Sequence, residues 1–159
     1  MNTDILYNEL VELSDVIRNS TIKRLKLVPP GKENWRISPN AMSFADSALH
    51  LIDSDNWMIK KINQKVLAPI DGIAGSVQIA NDDEYKKLIE DLILSGVRRT
   101  DFIRSLNREN FEELIYDERF GKEVTVWWII VRGNLDHEIH HRGIIAAGLR
   151  ILKDSGNQQ

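Results

Sequence analysis

Apolar side chains recur every three to four residues along four long stretches of the chain, the spacing that gives an α-helix one continuous inward stripe. The first stretch predicts a helix from about Thr3 to Leu27, with Ile5, Leu6, Leu10, Leu13, Ile17 and Leu25 inward, stopped by Pro29-Pro30-Gly31. The second predicts a helix over about Asn40 to Lys65, whose stripe is Phe44, Ala48, Leu51, Ile52, Met58, Ile59 and Ile62. Asn81-Asp82-Asp83-Glu84 offers a cap and an acidic first turn to a third helix, which runs to about Leu106 with Tyr85, Leu88, Leu92 and Phe102 inward. A fourth is expected from about Glu123 to Lys153, before Asp154-Ser155-Gly156-Asn157 frays. Leu67 to Ala80, with Pro69, Asp71-Gly72 and Gly75, reads as a long connection able to cross a bundle or cover a site, and Asn107 to Lys122 as irregular chain or a short helical turn. The pattern predicts one all-α domain spanning residues 1–159, a four-helix bundle with a long crossover connection.

Composition narrows the chemistry without changing that picture. A chain of 159 residues with 42% hydrophobic content can bury its own core. It contains no cysteine, which excludes a disulfide framework, a thiolate nucleophile and any sulfur ligand to a metal. Asp4 and Glu9 stand where a secretory leader carries basic residues, and no apolar run approaches the ~18 residues of a membrane span, so a soluble, cytoplasmic protein is expected. A net charge of −3 gives no general attraction for nucleic acid, and the short basic runs Lys23-Arg24-x-Lys26 and Arg98-Arg99 read as solvated helix faces.

Histidine is scarce, and three of the four fall in His137-Glu138-Ile139-His140-His141. On a helix, positions 137 and 141 stack one turn apart, so their imidazoles can converge on one divalent ion. Arg132, Asp136 and Arg150 mark the solvent side, and the pair lies roughly 160° from it at ~100° per residue, facing inward on a strip with Trp127, Ile130, Asn134, Ile145, Gly148 and Leu152. His140 is rotated away. The plainer reading of such histidines is as hydrogen-bonded core residues, but two buried together must satisfy their ring nitrogens, which a shared ion does. His50 is the one histidine left to complete a site. It lies off the apolar stripe of the second helix, on a strip of Ser43, Ser47, Ser54 and Trp57 that reads either as a partly solvated face or as the wall of a small polar pocket.

These features together resemble the DinB/YfiT-like superfamily of four-helix-bundle metalloenzymes: a histidine in the second helix with an aromatic one to two turns later, Phe120-Gly121-Lys122-Glu123-Val124-Thr125, and His137-x-x-x-His141-Arg142-Gly143. Trp35 and Ser43 match the family's tryptophan in the first long loop and the serine that opens helix two, and Ile144 departs from the glutamine common after the His-Arg-Gly segment. The resemblance implies an up-down-down-up topology, a metal held by His50, His137 and His141, a homodimer, and small-molecule chemistry in which the ion activates a low-molecular-weight thiol. Without cysteine, the nitrogen and oxygen donors that are left suit a borderline divalent ion such as zinc or nickel.

The same five residues spell His-Glu-x-x-His, the signature of zinc peptidases in which Glu138 would serve as general base. That motif needs a further ligand, usually downstream, where only His140, His141 and Asp154 are available. Glu138 is therefore expected to pair with Arg142 at i, i+4, or to stand behind a ligand and orient it. The leading expectation is a metal-dependent transferase using a small thiol, with Trp57, Trp127, Ile130 and Asn134 lining a pocket that suits an apolar electrophile. A hydrolase using a metal-bound water and a non-catalytic metal-binding stress-response bundle are the alternatives.

Overall fold

A computed structural model describes residues 3–65, 70 and 72–156 of the chain, and of residues 3–7 and 156 the backbone alone. Leu67, Pro69, Asp71 and Asn157, expected as connection and chain-end positions, lie outside the described residues, as do the side chains of Ile5 and Leu6, expected inward. Three long helices come first: α1 (Thr3–Leu25), α2 (Phe44–Gln64) and α3 (Asp82–Ser105). A short α4 (Arg108–Glu112) leads into an antiparallel hairpin of β1 (Leu114–Asp117) and β2 (Lys122–Thr125), and the chain ends in α5 (Val126–Trp128), a π-helical segment (Ile129–Leu135) and α6 (Asp136–Gly156), joined end to end.

Local chemistry sets the boundaries. Helix α2 starts four residues later than the periodicity suggests because Ser43 caps it: its side chain accepts from the Asp46 backbone N–H while the Asp46 carboxylate accepts from the Ser43 N–H. Asp46 also accepts from the backbone N–H groups of Gly75 and Val77, so the connection after α2 is tied to the start of that helix. Asn81 caps α3 through the Glu84 N–H, as the sequence indicates. Residues 123–125 are strand rather than helix. Val124 and Thr125 are β-branched, Ile115 and Asp117 are buried in alternation with exposed Leu114 and Tyr116, and Gly121 at φ +63° turns the hairpin, a conformation costly for a residue with a Cβ.

The core is two apolar clusters, one at each end. One unites Ile22, Leu25 and Val28 at the end of α1 with Phe44, Ala48 and Leu51 at the start of α2, Tyr85, Ile89 and Leu92 at the start of α3, and Ile145 late in α6. The other joins Leu10 and Ile17 early in α1 with Trp57, Met58 and Ile62, Ile103, the hairpin's Ile115 and Val124, and Ile129 and Ile130. The ends of the first and last long helices therefore share a level with the starts of the second and third, which is an up-down-down-up bundle. Leu13, assigned inward by periodicity, is 46% exposed. Among the described residues no helix is long and apolar enough to cross a membrane.

Between the two clusters lies a polar layer. Arg18 of α1, Asp55 of α2, Arg99 of α3 and Glu138 of α6 are all nearly or fully excluded from solvent. Arg18 donates from Nε and Nη2 to the two Glu138 oxygens, both at 3.0 Å, and from Nη2 to Asp55 at 2.8 Å. Arg99 Nη1 reaches Glu138 at 2.5 Å and Asp55 at 3.1 Å. Ser14, Ser95 and Asn134 satisfy further donors and acceptors. Two cations and two carboxylates cancel, which is what makes such a buried layer tolerable. Arg99 is thus the opposite of a solvated helix face.

Candidate metal centre

Helix α2 packs against both the π-helical segment and α6, and this brings His50 to the inward histidines. His50 Nε2 lies 3.1 Å from His137 Nε2, and His141 Nε2 lies 3.0 Å from the same atom. One ligand nitrogen from each of the three falls within 4.8 Å of the others. His50 and His141 are each 7% exposed and His137 is half-buried, whereas His140 is exposed and meets only the edge of the His141 ring. The strip of Ser43, Ser47, His50, Ser54 and Trp57 is buried along its whole length, so it is a packed face rather than a solvated one.

The donor set fits a divalent transition ion. Two nitrogens each ~2.0–2.1 Å from one ion at tetrahedral or octahedral angles stand about 2.9–3.4 Å apart, the spacing of His137 from both His50 and His141, and all three nitrogens lie within 4.8 Å of one another. Burial and then the neighbouring His50, His140 and Arg119 push His137 down to about 4, and burial with the other histidines pushes His141 to about 3; burial lowers His50 too. All three are therefore neutral near pH 7 with lone pairs to give. Ser54 Oγ sits 3.3 Å from His137 Nδ1 and accepts from Asn134 Nδ2 at 3.2 Å, so a hydroxyl stands behind the ligand nitrogen and orients the ring. The buried Nδ1 of His141 has no such partner among the described residues.

Glu138 does not pair with Arg142. Burial would raise its carboxyl, but Arg18 and Arg99 hold it below its ordinary value, and its hydrogen bonds go to those two guanidiniums. A carboxylate so clamped, with both oxygens held by guanidiniums, is no general base for a bound water. Its effect on His137 and His141 is electrostatic, favouring the protonated imidazole against stronger opposing effects.

Beside the triad opens a cleft of about 370 Å³ lined by Ile70, Arg119, Arg132, Gly133, Asp136, His137 and His140. Its wall is charged, not the aromatic wall expected from the helical wheel. Ile130 is fully buried in the core cluster, Trp127 packs edge-on against Phe111 at 5.8 Å, and Trp57 lies beneath the Arg119 guanidinium at 4.2 Å. Asn134 belongs to the polar layer behind the ligands. The π-helical turns explain the difference: their i→i+5 pattern slips the angular phase between Trp127 and His137 that a uniform wheel assumes. Gly72 closes another side, since a Cβ there would lie 3.2 Å from His50 Cε1 and collide with the tip of Met42. The connection after α2 thus returns over the site.

The model of the DinB superfamily matches residues 15–145, a span holding all three histidines and all four charged residues of the buried layer. The chain belongs to the DinB superfamily. A crystal structure of a DinB-like protein, YjoA, from Bacillus subtilis is similar in fold with a TM-score of 0.69, at 17% identity over 91% of this chain and 92% of that one. No curated protein matches the sequence. Family, fold and a buried histidine triad able to hold a metal thus agree in this DinB-superfamily member.

Proposed function

We propose that this DinB-superfamily protein is a divalent-metal-dependent transferase that joins a low-molecular-weight thiol to a small electrophile. What carries the reading is the convergence of the His50, His137 and His141 Nε2 atoms, at 3.0 and 3.1 Å, beside an open cleft. Bound there, zinc or nickel would supply Lewis acidity with coordination positions left over, the arrangement of reactive rather than purely structural sites. The chain's own residues prepare that role. Burial keeps the imidazoles neutral, Ser54 aims the His137 ring, and Gly72 with Met42 closes one side of His50 against water. The protein has no cysteine to offer as nucleophile, which supports a thiol brought in as co-substrate.

The test is a panel of low-molecular-weight thiols against a generic electrophile, using zinc- and nickel-loaded protein, repeated without thiol on ester and amide substrates. Thiol conjugation that disappears in His137→Ala and after chelation is the expected result. Turnover confined to the thiol-free assays would replace the proposal with a hydrolase, and no turnover in either would leave a non-catalytic metal-binding bundle.

A further inference from the structure

We infer that Arg119 is a carboxylate-binding residue of the cleft, anchoring an anionic group on the small molecule whose reactive end lies at the histidine triad; this rests on the function proposed above. A guanidinium offers two bidentate edges, and among the described residues only one is used. Asp117, itself fully buried, takes the Nε–Nη2 edge, with Oδ1 2.9 Å from Nε and Oδ2 2.5 Å from Nη2, and Oδ1 also accepts the Arg119 backbone N–H. Nη1 and the second N–H of Nη2, which form the other edge, have no hydrogen-bond partner among the described residues.

Gly133 lets the guanidinium lie close against the π-helical segment. A Cβ there would lie 2.7 Å from Nη2, 3.4 Å from Nη1 and 3.4 Å from the Trp57 ring, so any side chain at 133 would displace the fork from its place in the cleft wall. Gly133 lies in the π-helical segment four residues before His137, about 6 Å along the helix axis, and both line the cleft. The fork is also rigid: the face of Trp57 supports it at 4.2 Å, and Asp117 fixes its plane. A pre-aimed, planar, half-exposed guanidinium matches the two oxygens of a carboxylate and binds with little loss of side-chain freedom. Arg119 and His137 line the same cleft, which suits a small molecule that places its acid at one and its reactive end at the other.

The experiment compares 3-mercaptopropionate with 3-mercaptopropionamide, binding each to zinc-loaded protein by calorimetry; the pair differs in charge but scarcely in size. Wild type should prefer the acid by about tenfold, as loss of one charge-assisted bidentate contact implies. Arg119→Gln should reduce the preference to near unity. Because that change leaves buried Asp117 without its partner and could unfold the hairpin, Gly133→Ala is the second variant. It retains both residues and favours the helix, and its methyl, 2.7 Å from the present Nη2 position, must displace the fork, so it too should abolish the preference while zinc affinity stays unchanged. Equal binding of acid and amide by zinc-loaded wild type, or a preference surviving in either folded variant, would overturn the inference while leaving the metal function intact. If the protein takes up no zinc, the proposed function fails instead. The same comparison on metal-free protein then decides: a preference lost in both variants upholds the fork, and its absence in wild type overturns it.

Discussion

Glu138 separates two accounts of the His-Glu-x-x-His run, and its replacement by glutamine tells them apart. The glutamate of a zinc peptidase works at the metal, so neutralising it would remove activity and leave stability nearly unchanged. Here Glu138 is 1% exposed and takes three hydrogen bonds from Arg18 and Arg99. Glutamine keeps the volume but turns a balanced layer of two cations and two anions into one with an uncompensated buried positive charge. Breaking a buried ion pair in this way costs about 3–5 kcal/mol. For a chain of this length each kcal/mol moves the melting temperature by about 2–4 °C, so a fall of roughly 6–20 °C is expected. Urea unfolding followed by circular dichroism on metal-free protein is the assay, because bound metal would add its own linkage. Adding Arg18→Met removes one of the now excess cations, and the double variant should be more stable than the sum of the two single effects by about 0.5–3 kcal/mol. A Glu138→Gln protein within about 0.5 kcal/mol of wild type would refute the structural role assigned to this layer.

Replacing His50, His137 or His141 with alanine should each abolish tight binding of one divalent ion per chain, measured by elemental analysis after dialysis, while His140→Ala retains it; full retention in His50→Ala would remove α2 from the ligand set. Saturation with metal at ~100 times its dissociation constant should stabilise the folded protein by about 2.7 kcal/mol, seen as a higher calorimetric melting temperature at neutral pH that is absent in His137→Ala. In the metal-free protein His137 and His141 titrate near 4 and 3, below the ~6.5 of the unfolded chain, so below pH 6.5 the unfolded state binds more protons. Stability should therefore fall progressively from about pH 6.5 towards pH 4, and a flat urea midpoint across that window would show that the native histidines are not held neutral. Light scattering at micromolar concentration should give twice the chain mass if the protein is the homodimer that its superfamily resemblance implies.

The part of the site legible in the sequence was the part built from neighbours in sequence. His137 and His141 meet because they are four residues apart on one helix, and their inward direction follows from the charged strip opposite. His50 could be singled out as the remaining histidine, but its meeting with them depends on α2 packing beside the last helix, which no local pattern encodes. The polar layer is hidden for a different reason: charge ordinarily marks a solvent-facing position. Yet each of its members is in phase with an apolar stripe: Arg18 with Val11 and Leu25, Asp55 with Leu51 and Ile62, Arg99 with Leu92 and Ile103, Glu138 with Leu135 and Ile145. Two opposite pairs on four inward stripes are a signature of a buried, balanced network. The hairpin is legible only in part, in β-branched Val124-Thr125 and in Gly121, because Leu114-Ile115-Tyr116-Asp117 shows no alternation of polar and apolar residues: Leu114 and Tyr116 are the exposed pair and Asp117 is buried. The π-helical slip was not legible, since seven residues of Ile129-Ile-Val-Arg-Gly-Asn-Leu135 carry no composition that distinguishes i→i+5 from i→i+4 turns.

These pieces bear on one another through register. Apolar clusters at the two ends of a bundle tolerate small slides between helices, because dispersion and burial are not directional. Hydrogen-bonded ion pairs do not tolerate them, and this layer reaches one residue from each of the four long helices. Asp55 is one residue from Ser54, which aims His137, and Glu138 is one residue from His137 itself. A slide of α2 against α6 would break the layer and part His50 from His137 in the same movement. The layer's contribution is thus to select the one arrangement in which nitrogens 87 residues apart in sequence stand 3.1 Å from each other, whatever its net effect on stability. On that argument Glu138→Gln, where it still folds, weakens metal binding although Glu138 touches no ligand, and unchanged zinc affinity in the folded variant would show that the apolar clusters alone hold the register.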